Sequence, residues 1–369
     1  MRDEDIFSLM PSIEVKDLWK SYGSIIALRG VNLRIEDGEY FCLLGPTGAG
    51  KTTLLKIIAG LLKQDRGEVL IDGVEVSSIP PELRGASYMP QGYALFPHMT
   101  IWENVSYGLS VREESLSQAE EILKLVGLWE RRDSYPHELS GGQQQRIALA
   151  RALASGSQIL LLDEPLSALD ALLNLQLRFE LKKLAKELGL TVIHVTHNAE
   201  EALSIADKVA ILRKGRIQQI GCPSEVYRSP VNLFTANFLG EINLFEGRLT
   251  GFLERMCIFK VKTLGELYTR RVQNIGLNAV IAYRPEDVEV AIDGWKEENF
   301  FKGVVETVEN MGFYRRALIK VKGLEILAYL WIDAVDVQEG DNAYVYLPPD
   351  KALVFPYPKE GLEKSLLSE

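Results

Sequence analysis

One run limits the fold of this 369-residue chain more than any other: Gly45-Pro46-Thr47-Gly48-Ala49-Gly50-Lys51-Thr52, which fits GxxxxGK[ST]. Glycines let the backbone curl until successive N–H groups point inward at phosphate oxygens. A helix that follows adds its positive N-terminal end. The apolar run Phe41–Leu44 precedes the loop, and a helical pattern over Lys51–Leu62 follows it. The loop therefore stands between a strand and a helix, as phosphate binding requires. Lys51 is placed to reach β- and γ-phosphates, and the Thr52 hydroxyl to ligate Mg²⁺.

Two further patterns strengthen this reading. Ile159–Asp163 reads as a buried strand whose tip carries Asp163 and Glu164 before Pro165. Asp163 suits a water-mediated hold on Mg²⁺, and Glu164 then stands beside the γ-phosphate to polarise a water. An acid pair in a turn is a weak signal alone and a strong one beside a phosphate loop. Leu139-Ser140-Gly141-Gly142-Gln143 precedes a helical pattern, with Ser140 a natural N-cap and two glycines exposing N–H groups. That makes a second anion site in the same chain.

With these residues in this order, the chain resembles the ATP-binding-cassette (ABC) family of transporter ATPases, whose signature is LSGGQ. Other matches span Tyr22 to His197. Tyr22 in KSYG resembles the aromatic that stacks on adenine. Gln91 in MPQGYALFPHM resembles the glutamine-loop residue, and His197 in HVTHN the switch histidine. Ser167-Ala168-Leu169-Asp170 resembles the loop that crosses to a partner subunit. Asn198 departs from the family pattern, in which Asp often follows that histidine; this bears on loop hydrogen bonding or rate.

The resemblance implies an α/β P-loop NTPase domain with a helical subdomain and a C-terminal all-β, OB-like (TOBE) barrel. It implies ATP contacts from Tyr22, Gly45, Pro46, Thr47, Gly48, Ala49, Gly50, Lys51, Thr52 and Thr53. Glu164, His197 and Gln91 would be catalytic, and Thr52, Gln91 and Asp163 would face Mg²⁺, Asp163 through water. Two copies would pair head to tail, so that Leu139, Ser140, Gly141, Gly142 and Gln143 of one close over ATP on the other.

The texture along the chain fits that division. Short apolar runs alternate with helical patterns up to about residue 239, which implies a mostly parallel sheet. Ile13–Leu18 and Val31–Ile35 look antiparallel instead. Residues 87–155 are richer in helix: Ile101–Leu109, Ser117–Val126 and Gln143–Ala154. From about Gly240 short strand-like runs take over, from Phe245–Leu249 to Ala343–Leu347, and suggest a small β-barrel or barrel pair over residues 240–355. Residues 356–369 read as a frayed tail.

The appended β region favours an importer. Import ATPases of the maltose, polyamine, ferric-iron and molybdate types carry a similar domain, and Arg284-Pro285-Glu286-Asp287 resembles a turn within it. Gly240-Glu241-Ile242-Asn243-Leu244-Phe245 looks more like polyamine-type members than sugar-type ones. Oxyanion, ferric ion or sugar remain the alternative cargoes. Tyr93-Ala94-Leu95-Phe96-Pro97 is expected to form an exposed aromatic patch, so transmembrane permease subunits would dock near Gln91–Phe96, with a small local core as the bland alternative. An external solute-binding protein would act indirectly.

Composition excludes rival classes. Net charge is −10, and a phosphate-backbone footprint needs a basic face, so nucleic acid is an unfavoured partner. No apolar run approaches the ~18 residues that span a bilayer. The first ten residues are acidic and unlike a signal peptide. The expectation is a peripheral subunit on the cytoplasmic face of the membrane. Cys42, Cys222 and Cys257 lack metal-ligand spacing and read as reduced, buried thiols. A soluble cassette ATPase without a membrane partner is the alternative class; it would need a coiled-coil insert, a second cassette or a basic surface.

Overall fold

The computed structural model describes residues 11–113, 115–273, 275–294, 298–332 and 335–366. The first ten residues, read above for a signal peptide, and the last three of the expected tail lie outside them. The chain divides into two compact units between Arg228 and Ser229.

The first unit begins with two long strands, β1 (Ile13–Tyr22) and β2 (Ile25–Ile35), paired antiparallel. Then come β3 (Tyr40–Leu44), α1 (Lys51–Ile58), β4 (Arg66–Ile71) and β5 (Val74–Glu75). The antiparallel sheet has the order β2-β1-β4-β5. Next are β6 (Ala86–Met89), α2 (Ile101–Val111), α3 (Ser117–Leu125), α4 (Gly141–Leu153) and β7 (Ile159–Asp163). The unit closes with α5 (Ala171–Glu187), β8 (Thr191–Thr196), α6 (Ala199–Ile205), β9 (Lys208–Arg213), β10 (Arg216–Gly221) and α7 (Pro223–Arg228).

The second sheet has the order β10-β9-β3-β8-β7-β6 and is parallel except for the β10–β9 edge pair. Strands β3, β7 and β8 are buried at every residue. A parallel strand covered on both faces must be apolar throughout, which explains the continuous runs FCLL and ILLL. Leu43, Leu54, Ile57, Leu161 and Ile193 join Ile13, Val15 and Leu33 in one core. The register sets Leu44 beside Thr196 and Asp163 beside Val195. Three strand ends therefore come out side by side, and ligands of open α/β sheets bind at such carboxyl ends.

Helices α2, α3 and α4 pack on one another. Helix α2 starts at a full capping box, Thr100 with Glu103.

The second unit contains α8 (Leu233–Phe238), then β11 (Asn243–Leu253), β12 (Met256–Val261), β13 (Gly265–Arg270), β14 (Asn278–Tyr283) and β15 (Glu289–Ala291). It continues with β16 (Phe300–Asn310), β17 (Tyr314–Val321), β18 (Leu324–Trp331), β19 (Asn342–Tyr346), β20 (Leu353–Pro356) and α9 (Leu362–Leu366). Two five-stranded antiparallel sheets, β13-β12-β11-β14-β20 and β15-β19-β16-β17-β18, share one core that includes Phe259, Tyr283, Ile319 and Val345. The chain thus has the mixed α/β nucleotide-binding fold and the C-terminal all-β fold that its motifs imply.

Three local expectations change. Helix α1 ends at Ile58 rather than Leu62, because Gly60 at φ 80° turns the chain out of the helix. The segment expected to fray forms α9, whose Leu362 and Leu366, one turn apart, pack beside Leu233 and Phe355. Cys42 and Cys257 are buried, but Cys222 is exposed, because it lies in the polar turn between β10 and α7.

Candidate active site

The loop after β3 curls back on itself before α1 begins. Gly50 sits at φ 105°, and a Cβ there would meet the Ala27 carbonyl oxygen at 2.5 Å. A Cβ on Gly45 would meet the Leu212 carbonyl oxygen at 2.3 Å. Both positions exclude a side chain on steric grounds alone. The Lys51 ammonium folds back onto the carbonyls of Gly45 and Pro46, at 2.7 and 2.9 Å. Burial lowers its pKa, while the charges of Glu164 and Asp163 oppose that shift. It is a cation held ready inside the loop rather than extended into water.

Around the loop is a cavity of about 380 Å³ lined by Ala27, Thr47 to Thr53, Gln91, Glu164 and His197. Five separate chain segments meet here. Behind the wall, the Thr52 hydroxyl donates to Asp163 Oδ1 at 3.0 Å, and the Tyr88 hydroxyl to Asp163 Oδ2 at 3.3 Å. Burial raises the Asp163 pKa, and these two hydrogen bonds pull against it.

Glu164 follows directly and takes a left-handed backbone, φ 52°, unusual for a residue with a side chain. Its carboxylate is held from both sides: Gln91 Nε2 donates to Oε2 at 3.0 Å, and His197 Nδ1 lies 3.0 Å from Oε1. Asn198, next to His197, caps α6 by accepting from the Glu201 N–H at 3.0 Å. An N-cap accepts asparagine as readily as aspartate, so the departure at this position keeps the loop geometry.

Gly45, Pro46, Thr47, Gly48, Ala49, Gly50, Lys51, Thr52, Thr53, Gln91, Asp163, Glu164 and His197 thus come together. Tyr22 does not line the cavity; it is exposed at the end of β1, with Lys20 Nζ 5.8 Å from its ring centroid. Leu139 to Gln143 also lie outside it. Ser140 and Gln143 form a reciprocal capping box at the start of α4, which leaves the Gly141 and Gly142 end of that helix as an anion-facing terminus. Ser167 and Leu169 line a neighbouring cavity of about 480 Å³ that shares Glu164 and His197, and Asp170 caps α5.

Two contributors were not foreseen. Tyr88 holds the second oxygen of Asp163. Gln145, fully buried on α4, donates to the Glu164 carbonyl at 2.9 Å and accepts from the Ala168 N–H at 2.9 Å. It straps the start of α4 to the segment that carries Glu164. The signal was a polar residue on the stripe that continues through Ala148, Leu149 and Ala152.

The Tyr93–Pro97 segment is neither an open patch nor a closed core. Phe96 is half-buried, 5.0 Å from the Tyr107 ring, with the Arg151 guanidinium 4.9 Å away.

Comparison with known proteins agrees with this geometry. Residues 28–167 match the ABC transporter family, and residues 281–355 match the TOBE domain. The spermidine/putrescine import ATP-binding protein PotA of Mannheimia succiniciproducens is 42% identical over 325 residues, covering 83% of this chain and 87% of that protein. The chain belongs to the ABC transporter family. The trehalose/maltose import ATP-binding protein MalK of Thermococcus litoralis is 37% identical, covering 94% of this chain and 98% of its own. The molybdate/tungstate import ATP-binding protein WtpC of Pyrococcus horikoshii is 36% identical, covering 93% and 100%. A dimeric bacterial ABC transporter cassette of known structure aligns with a TM-score of 0.54 at 34% identity, over 57% of this chain and 98% of that one. A related dimer, 35% identical, holds ADP and phosphate in a post-hydrolysis state. This ABC protein is an importer-type ATPase with a C-terminal TOBE domain: it binds and hydrolyses ATP.

Proposed function

We propose that this chain is the ATPase of a polyamine importer, acting as a head-to-tail homodimer on the cytoplasmic face of the membrane beneath separate permease subunits. The observation that carries the catalytic part is the Glu164 carboxylate, held between Gln91 and His197 at the mouth of the glycine loop. A carboxylate so fixed accepts a proton from a water aimed at the γ-phosphate. Lys51 leaves its two carbonyls for the β- and γ-phosphates. His197 keeps Glu164 oriented and contacts the γ-phosphate. Gln91 reports the state of the site to the permease side. Tyr22 stacks on adenine.

The residues fit a magnesium ion. Asp163 and Thr52 present a hard carboxylate and a hydroxyl side by side, the donor chemistry that Mg²⁺ selects. Among the described residues no group of three or more His, Cys, Asp and Glu gathers to hold a metal. Phosphate oxygens and water would complete the shell, as is usual for this ion. Bound there with ATP, it neutralises charge on the β- and γ-phosphates.

One glycine loop leaves much of the triphosphate charge unmatched. The Gly141–Gly142 helix end of a second copy supplies the missing N–H groups, and the dimeric cassettes support that pairing. Tyr93 to Phe96, joined to Gln91 and backed by Arg151 through the carbonyls of Ala94 and Tyr93, would receive the permease. Among the described residues no helix is long and apolar enough to cross a membrane, which agrees with a separate permease. We place the cassette at residues 1–239 and the β domain at 240–355.

Polyamine as cargo rests on the Gly240–Phe245 stretch, with support from PotA relatives such as that of Mannheimia succiniciproducens. Deleting the gene in its host and following uptake of labelled spermidine, maltose, molybdate and ferric ion tests this. Loss of spermidine uptake alone is expected. Loss of another uptake with spermidine intact refutes the cargo and leaves the ATPase reading standing.

A further inference from the structure

The outer face of the sheet β13-β12-β11-β14-β20 is covered only in part. Leu244, Val280 and Ala282 pack beneath α8 and α9. Further along the same strands the face opens into a cavity of about 500 Å³ lined by Glu246, Gly247, Arg248, Lys260, Lys262, Asn278 and Tyr357. That volume is in the range of small-molecule sites, ~300–1,000 Å³.

Its charge is unlike that of the region around it. Residues from Ser229 onward carry 16 basic and 21 acidic side chains, a net −5. The cavity has three cations and one carboxylate. Glu246 faces the Tyr357 phenol, whose pKa is raised first by burial and then by that carboxylate. None of the three cations forms an ion pair among the described residues.

The register sets two of these exposed cations directly opposite each other. Arg248 and Lys260 are direct cross-strand partners on β11 and β12, and Asn278 is the partner of Arg248 on β14. Like charges directly opposite, with Cβ atoms ~4.5–5.5 Å apart, destabilise a sheet unless an anion lies between them. Lys262, in the turn that follows β12, lines the same cavity. The Tyr357 N–H bonds to the Asn278 carbonyl at 3.2 Å, which fixes the wall that closes the end.

We propose that this cavity is a binding site for a small metabolite bearing two anionic groups: a phosphate between Arg248 and Lys260, and a second phosphate at Lys262. Arg248 offers a planar fork that matches phosphate oxygens, and the lysines supply point charges. Asn278 adds an amide donor. The site is built within the β unit alone, so it is separate from the glycine loop.

Inorganic pyrophosphate is the probe, measured by titration calorimetry on the full chain. The glycine loop also binds phosphates, so the Lys51→Ala chain is titrated as well. Pyrophosphate binding is expected to persist in Lys51→Ala. It is expected to weaken at least tenfold when Arg248→Gln and Lys260→Gln are added, and to weaken with salt. Single phosphate is expected to bind at least tenfold more weakly than pyrophosphate. Absence of binding in Lys51→Ala at millimolar probe overturns the proposal. Equal binding with and without the two glutamines also overturns it, provided the melting curves show both chains folded.

Discussion

Gln145 offers the sharpest test of how the first unit holds the Glu164 carboxylate. Gln145→Leu keeps the volume and removes the polar head. Three bonds go: those to the Glu164 carbonyl and the Ser167 hydroxyl oxygen, and the one from the Ala168 N–H. They are not equivalent. The Glu164 carbonyl keeps the Ser167 hydroxyl at 3.1 Å, so it is not orphaned. The Ala168 N–H has no second acceptor among the described contacts, but Ala168 is exposed, so water takes the place of the amide and the loss is that of an ordinary hydrogen bond, ~0.5–1.5 kcal/mol. For a unit of this size that is a melting shift of roughly 2–4 °C per kcal/mol, so about 1–6 °C. The kinetic effect is more specific. Glu164 sits at φ 52°, a conformation that holds only while its surroundings enforce it, against ~1–3 kcal/mol of strain. Releasing the strap lets the carboxylate drift from Gln91 and His197, and a tenfold loss in kcat corresponds to ~1.4 kcal/mol. Lys51 and the glycine loop are untouched, so KM for ATP stays within about twofold. Thermal melting and steady-state phosphate release measure both effects. An unchanged kcat, or a raised KM at constant kcat, refutes the strap as a positioning device.

Other outcomes follow from the same geometry. Glu164→Gln is expected to bind ATP, hold the dimer and turn over at ~10²–10⁴-fold lower rate, as loss of a general base predicts; wild-type phosphate release would exclude Glu164 as the base. Lys51→Ala is expected to lose tight ATP binding, read by calorimetry, since the loop keeps its N–H groups but no longer its charge. Asp163→Asn bears on pH. Burial holds the Asp163 pKa above the ordinary 3.8, so its ionisation destabilises the nucleotide-free fold as pH rises through that raised value. The variant is expected to melt higher than wild type at pH 7 without nucleotide, with the gap closing as pH falls toward 3.8, while ATPase activity is lost. Equal melting at pH 7 would exclude a cost of burying that charge. Phe96→Asp is expected to abolish co-purification with the permease while isolated ATP turnover persists, and an intact complex would refute docking there.

Much of the first unit was legible because its strands are buried on both faces. ILLL is wholly apolar and TVIHVT is β-branched throughout except for His194, and β7 and β8 fall where the runs do. The second unit was less legible. Strands β12, β18 and β20 escaped, because MCIFKV, LEILAYLW and LVFP are mostly apolar runs without clean alternation, and a short apolar run does not by itself separate strand from buried helix. Helix α9 escaped because Leu362 and Leu366 are two apolar residues in a polar segment, and only the patch at Val280 and Phe355 makes them a face.

The residues alone determined the chemistry: a loop of glycines before a lysine, an acid pair at a strand tip, and a capped glycine helix end have few other uses in this order. Tertiary structure decided what holds that chemistry in place. That Glu164 is gripped by Gln91 and His197, 73 positions before it and 33 after it, depends on which strands lie side by side. That Gln145 reaches the Glu164 carbonyl depends on how α4 packs. That Arg248 and Lys260 lie opposite each other on one face of the β unit depends on the register of β11 and β12. Local sequence encodes a residue's functional group and its backbone preference. Its partners are set by long-range pairing, which no window of neighbouring residues contains.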